Sequence, residues 1–436
     1  MLVNVIASAA IWFVVFVVAV RVFCYAGISE NKGGNKVLGW ILEKKRSYTS
    51  YEPSAKEYVR VAVAAVLFRI VIYLISAAAM RLYLDDATPV NGAQFIQEWL
   101  KWDAYNYTRI AELGYGGYQE NGMFTTLVFF PLYSWILKAF NFVIPNIYAS
   151  ALVASALCFT VGACYFYGAI ALDYGKEIAK KSLIYLSVFP FAFFFGAMMP
   201  ESTFFMLATA CFYYTKKHKW WLVGVTGALA CLSRMQGAVL MVVAGVEWME
   251  YYKPFVMLKE KQGKELVKNI FTKAIWIPFM LAGTCIYFYM NYKVTGNPFK
   301  FLEYQSAIWG QRAQYFGTTV SEIWNRAFGG EVTGVTRIAV WIPAIVLFIL
   351  AAVLLLYGMR RIDNKYMAFF VVYVIMNYMP SWLMSSGRYM SVAFPMFLVL
   401  AVFSDKHKEA DKWIMSVSAV LFGVILMGFL TWKQIM

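Results

Sequence analysis

The sequence predicts an all-α polytopic membrane protein, a bundle of about twelve spans with interfacial helices in its first large outer loop. Three observations carry that expectation. Of 436 residues, 61% are hydrophobic and 14% charged, and the mean hydropathy is +0.59, more apolar than soluble domains are. Aromatic residues make up 19%, with 15 Trp and 30 Tyr, and such rings form belts where membrane meets water. The formal net charge is +15, but Lys and Arg fall in short clusters between apolar runs. That is the positive-inside distribution rather than a nucleic-acid-binding face.

The clusters at Lys32–Arg46, Lys176–Lys181, Lys216–Lys219, Lys253–Lys273, Arg360–Lys365 and Lys406–Lys412 are assigned to the cytoplasm. Apolar stretches between them then cross an even number of times. The expected spans are 3–27, 57–83, 148–171, 183–198, 202–215, 220–233, 237–252, 271–292, 335–358, 366–380, 388–403 and 413–431. Several are shorter than the ~20 residues of a full span. The first run, Val3 to Tyr25, has no charged segment before it and no small-residue cleavage pattern after it, so it is expected to stay as a span. Residues 1–56 then form an extra span with a basic linker, and 57–436 the main membrane domain.

Two long outer loops result, 84–147 and 293–334. In the first, Asn91 can cap one helix running through QFIQEWLKWDAYNYTRIAELG to Gly114. Phe95, Trp99, Trp102 and Tyr105 suit its membrane face, and Asp103 shares a face with Asn106 and Tyr107 by i+3 and i+4 spacing. The stretch FTTLVFFPLYSWILKAF, 124–140, is expected to lie in the interface with its helix broken at Pro131. The six cysteines all fall in apolar runs and read as buried, unpaired side chains. The two histidines, His218 and His407, sit in basic clusters, which disfavours a histidine triad or metal site.

Polar residues inside apolar runs are costly and are functional candidates by default. Glu201 (MMPES), Arg234 (LSRMQG) and Arg388 (SSGRYM) sit at hairpin tips on the side of Asp103. Simpler roles exist for each: Asp103 paired with Lys101 or Arg109, Arg109 paired with Glu112, Glu201 with Arg234, and Arg388 snorkelling beside Tyr389. Taken together, an outer carboxylate and two arginines match the use of a lipid-phosphate substrate: a base for an acceptor hydroxyl and cations for a departing phosphate. No set of clustered outer carboxylates calls for a metal. A transporter with the same charges in its vestibule is the rival. It would show repeats and polar midplane residues, neither of which is evident.

WDAYNYTRIAELGY followed by FFPLYSWIL resembles the signature of the GPI mannosyltransferase II (PIG-V-type) family, within the C-type (GT-C) glycosyltransferase superfamily. FPFAFFFGAMMPESTFFMLATA, ALACLSRMQGAVL, GNPFKFLEYQSAIWG and SSGRYMSVAFPMFLVLA continue the family order over 57–405. Gly387 stands where the family has Pro and Asn297 where it has Asp. The resemblance implies a GT-C helix bundle transferring a sugar, mannose above all, from a polyprenyl-phosphate donor to an extracytoplasmic glycan, glycolipid or protein hydroxyl, with inversion and no cofactor. It makes Asp103 the catalytic base and assigns Arg234 and Arg388 to donor phosphate. The substrate contacts then fall to Trp102, Tyr107, Glu201, Tyr389, Asn297 and Gln305.

Overall fold

The computed structural model describes residues 1–28, 34–43, 48–83, 91–330, 332–431 and 435. Lys32, the basic stretch Lys44–Arg46, and the start of the first outer loop, 84–90, lie outside the described residues. Among those described the chain is helical, with no named strand and only two isolated bridges, Glu120–Met123 and Ala313–Pro380.

The N-terminal part contributes α1 (Leu2–Tyr25), α2 (Lys36–Leu42) and α3 (Ala55–Tyr83). Two short helices follow, α4 (Gly92–Trp99) and α5 (Ala104–Leu113), and then α6 (Pro131–Asn141). The centre is built from α7 (Ile147–Tyr174), α8 (Lys176–Val188), α9 (Glu201–Lys216), α10 (Trp220–Ser233) and α11 (Leu240–Tyr252). After α12 (Pro254–Lys259), α13 (Gly263–Asn269) and α14 (Trp276–Phe279) come α15 (Ala282–Thr295), α16 (Lys300–Trp309) and α17 (Phe316–Phe328). The C-terminal part holds α18 (Gly334–Thr336), α19 (Ile342–Gly358), α20 (Asn364–Asn377), α21 (Ser386–Met390), α22 (Pro395–Lys406) and α23 (Lys408–Leu430).

Five of the described helical stretches are long and apolar enough to cross a membrane: Leu2–Tyr25, Ala55–Leu82, Ile147–Tyr174, Gly334–Gly358 and Lys408–Leu430. A sixth arises if Gly263–Phe279 and Ala282–Thr295, bent by 41°, form one span. The protein is therefore multi-pass. The remaining expected spans fall on shorter helices: α9 has 16 residues, α10 14 and α11 13. At 1.5 Å per residue these reach about 20–24 Å, short of the ~30 Å hydrocarbon layer. Irregular backbone completes their hairpins, an arrangement tolerated at membrane depth where it is packed in protein or lines a cavity.

Local chemistry explains the element boundaries. Asn91 forms a capping box with Gln94, each side chain accepting from or reaching the other's backbone. Gly114 ends α5 at φ 72°. Pro131 starts α6 rather than breaking a helix, because at the first turn its missing N–H and fixed φ cost nothing. The single helix expected over 91–114 is instead two, interrupted at Leu100–Asp103, where Trp102 adopts φ 54°. The break turns Trp99 into the protein. Trp99 is fully buried, 5.2 Å from Tyr73 and 5.7 Å from Phe429 by ring centroids, rather than lying on the membrane. Lys101, also buried, pairs with Glu98 at 2.9 Å and donates to the Leu430 carbonyl at 2.6 Å. Burial holds its ammonium below the ordinary lysine range, with Glu98 opposing.

α1 is seated in the bundle: the Trp12 Nε1–H donates to the Tyr315 hydroxyl at 3.0 Å, and the buried Arg21 donates to the Met359 carbonyl. Cysteines 158, 211 and 231 are buried as expected. Cys285 is exposed on the flank of α15, and all six are free. The outer faces of the bundle stay apolar where a membrane would meet them, so an exposed thiol there is no anomaly.

Buried charge gathers at both ends of α9 and α20. At the end holding Lys216 and Lys365, Asp173 meets Lys216 at 2.6 Å and Lys365 at 3.1 Å. Lys365 also reaches Glu247 at 3.1 Å, which His218 approaches at 3.1 Å. Glu201 starts α9, so the second group lies about 22 Å away along that helix.

Candidate active site

Three hairpin tips and the α4–α5 break build the site. α8 ends at Val188, and Phe189, the residue before Pro190, leaves the helix with ψ 135°, as a residue before proline is disfavoured in the helical region. A short 3₁₀ turn, Ala192–Gly196, then leads through Pro200 into α9. This places Glu201 in the first turn of a helix, where a carboxylate complements the helix dipole. Arg234 leaves α10 with extended backbone, φ −160° and ψ 150°. Arg388 lies in the one-turn α21. Asp103 precedes α5 without capping it by its side chain, which leaves the carboxylate available across the chain.

These four side chains form one ion-pair network. The Arg388 guanidinium meets Asp103 Oδ2 at 2.6 Å through Nη2 and Glu201 Oε1 at 3.0 Å through Nε. Arg234 Nη1 meets the same Glu201 oxygen at 2.6 Å. Glu201 is fully buried and its second oxygen, Oε2, has no hydrogen-bond partner among the described residues. The Asp103 side chain is 25% exposed. Tyr389 supplies its ring to both cations, 4.8 Å from Arg234 and 5.1 Å from Arg388. The Arg388 Nη1–H also approaches Met199 Sδ at 3.3 Å.

Above the network is a cavity of about 390 Å³, lined by Asp103, Tyr107, Arg234, Gln236, Gln305, Trp309, Gln311, Trp382, Arg388 and Tyr389 among others. Its rim is held by polar contacts. Gln305 donates to Gln311 at 2.7 Å and Gln311 to the Trp382 carbonyl at 2.7 Å. Backbone bonds from Gln314 to Met379 and from Ser381 to Arg312, both 2.9 Å, tie the loop after α16 to the tip before α21. A second cavity of about 350 Å³ lies beside it and shares Ile308 and Trp309.

The structure therefore gathers Asp103, Tyr107, Arg234, Gln305, Arg388 and Tyr389 around one cavity, with Glu201 beneath it. Trp102 lines the second cavity instead. Asn297 is not brought to either. Its side chain accepts from Phe299 N at 2.9 Å and donates to Glu303 at 3.3 Å, so it shapes its own loop. Among the described residues neither simpler partner pairs with Asp103: Lys101 meets Glu98, and Arg109 stacks on Tyr118 at 4.2 Å and forms no ion pair with Glu112. Glu201 and Arg234 do pair, and Arg388, 3% exposed, is buried in the same network instead of snorkelling. Sequence reasoning missed Trp382 and Gln311. Trp382 lies in the same tip as Arg388, a signal that was available; Gln311 carried none.

No protein-family model matches the sequence, so the resemblance to the GPI mannosyltransferase II family is not confirmed, and no curated protein matches it. Among solved structures the chain is similar to ArnT from Cupriavidus metallidurans bound to undecaprenyl phosphate, at 12% identity and a TM-score of 0.44, over 88% of this chain and 77% of that one. It is also similar to the Archaeoglobus fulgidus oligosaccharyltransferase tethered with an acceptor peptide, at 11% identity and a TM-score of 0.41, covering 88% of this chain and 55% of that one. The archaeal oligosaccharyltransferase AglB, in complex with an inhibitory peptide and a dolichol-phosphate, gives 12% and 0.41, over 86% and 55%. The chain thus spans about half the length of the oligosaccharyltransferases it matches.

Proposed function

We propose that this protein is an integral-membrane, inverting glycosyltransferase that moves a sugar, mannose being the first candidate, from a polyprenyl phosphate to a hydroxyl acceptor on the extracytoplasmic face. The observation that carries the reading is the shared cavity of Asp103, Arg234 and Arg388: a partly exposed carboxylate beside two buried guanidiniums. The acceptor oxygen attacks the anomeric carbon from the face opposite the leaving group. Its proton passes to Asp103 as the bond from that carbon to the phosphate oxygen breaks, and the electron pair stays on the phosphate. The guanidiniums neutralise the growing charge, and their planar forks suit phosphate oxygens.

In the resting arrangement Arg388 holds Asp103 at 2.6 Å. A donor phosphate entering the cavity competes for that guanidinium, and Asp103 is released to accept a proton only once the donor is seated. Glu201 keeps Arg234 and Arg388 in place meanwhile. The reading is tested by incubating purified protein with a panel of polyprenyl-phosphate sugars and a glycan acceptor mixture, following release of free polyprenyl phosphate together with sugar transfer. Transfer with inverted anomeric configuration is expected. Translocation of the lipid-linked sugar across sealed vesicles with no bond cleavage would replace this reading with the transporter.

A further inference from the structure

The chain turns sharply at Lys101–Asp103, and Trp102 there has φ 54°, a backbone region that side chains other than glycine's rarely adopt. The turn separates two neighbours. Asp103 lines the first cavity and Trp102 the second. α5 repeats the division, giving Tyr107 to the first and Tyr105, Asn106 and Arg109 to the second. Backbone strain that persists in a fold is held by its surroundings and tends to occur where a side chain must be aimed.

The second cavity, about 350 Å³, is of the size of a small-ligand site. It combines three aromatic rings, Trp102, Tyr105 and Trp309, with groups able to bond hydroxyls. Arg109 and Glu120 form no ion pair among the described residues. Thr125, only 4% exposed, has a hydroxyl with no hydrogen-bond partner among them. Mixed aromatic and hydrogen-bonding walls match a pyranose, whose C–H faces lie on rings while its rim of hydroxyls needs donors and acceptors. The wall shared with the first cavity is Ile308 and Trp309, and Trp309 is braced by Phe129 at 5.7 Å, edge to face.

We infer that the second cavity binds a sugar ring of the acceptor, so that the acceptor is a carbohydrate whose reacting hydroxyl is presented past Trp309 toward Asp103. This rests on the transferase reading of the first cavity and deepens it by naming the acceptor class. The two phosphate-facing arginines belong to the first cavity. Arg109, the cation of the second, has its guanidinium face on Tyr118, which leaves its N–H edge for sugar hydroxyls.

Two readouts test it on the full-length protein. Methyl glycosides, methyl α-mannoside among them, are screened by saturation-transfer NMR with no donor present, and transfer kinetics are measured separately. Glu120→Gln and Asn106→Ala are expected to cut saturation transfer at least five-fold and to raise the acceptor KM ten-fold or more, with the donor KM within two-fold of the parent. Asp103→Asn is expected to keep glycoside binding. Glycoside binding that ignores Glu120 and Asn106, or transfer to peptide hydroxyls with glycosides inert, overturns the proposal. If glycosides bind in dependence on both residues while no donor is ever consumed, the sugar site stands and the transferase reading is the part that fails.

Discussion

Asp103 and Glu201 both reach Arg388, but their surroundings assign them different work. Asp103 is a quarter exposed and lines the cavity; Glu201 is wholly buried and joins two cations. Asp103→Asn keeps the shape and an oxygen to accept from Arg388, so its stability cost is expected to be about 1 kcal/mol. Losing a general base costs on the order of 10²–10⁴ in rate. The mutant should bind donor and fail at transfer; turnover within a few fold of the parent would remove Asp103 as the base. Glu201→Gln should behave in the opposite way. Withdrawing the shared anion leaves the buried Arg234 with no ion-pair partner among the described residues and Arg388 with Asp103 alone, a loss of about 3–5 kcal/mol. Thermal unfolding in detergent should therefore move far more for Glu201→Gln than for Asp103→Asn, and equal shifts would show that the two carboxylates do not divide the work this way.

The site depends on elements that stop early. α8, α10 and α20 each end in a tip of irregular backbone; the tips after α10 and α20 bring Arg234, Gln236 and Arg388 to the cavity, and the one after α8 leads to Glu201 beneath it. The tip before α22 is tightly packed: a Cβ on Gly387 would sit 2.2 Å from the Phe191 ring. This gives a physical reason for glycine where the resembled family has proline. Gly387→Ala is expected to destabilise by about 1–3 kcal/mol through overpacking and to lower transfer by displacing Arg388; wild-type stability and rate in this variant would show that Phe191 yields freely. Much of this was legible in the sequence. Polar residues at Glu201, Arg234 and Arg388 stood out because their apolar neighbours made them expensive, and Asn91 and Gly114 marked helix ends by cap chemistry. The break at Trp102 was not legible. Propensity and spacing run smoothly through 91–114, and the break coincides with the burial of Trp99 and the turn of Asp103 toward Arg388. Asn297 lines neither cavity for a related reason, since its partners, Phe299 and Glu303, are set by the loop's own fold.

Across the whole molecule, two buried charge groups stand at opposite ends of α9 and α20, with the charge-parity reading placing Asp173, Lys216 and Lys365 inside and Asp103 outside. Single cysteines at the exposed positions Gln119 and Lys219, in a chain lacking the native ones, test this. A membrane-impermeant maleimide added outside sealed, right-side-out vesicles should label position 119 and spare 219; labelling of both, or the reverse, would sink the topology. If the proposed transfer is right, the network of Asp103, Glu201, Arg234 and Arg388 has a consequence for its reaction cycle. Two anions and two cations sum to zero, so an empty cavity presents no net monopole to the membrane. A phosphodiester donor adds one negative charge. On transfer the departing phosphate gains a second, while Asp103 is neutralised by the proton it receives. The enclosed charge is thus the same before and after chemistry, and the bond-breaking step moves charge within the cavity without importing any. In that proposed cycle a further negative charge is left only once the proton escapes to water: Asp103 then competes with the doubly charged product for Arg388, so deprotonation would be the event that ejects it.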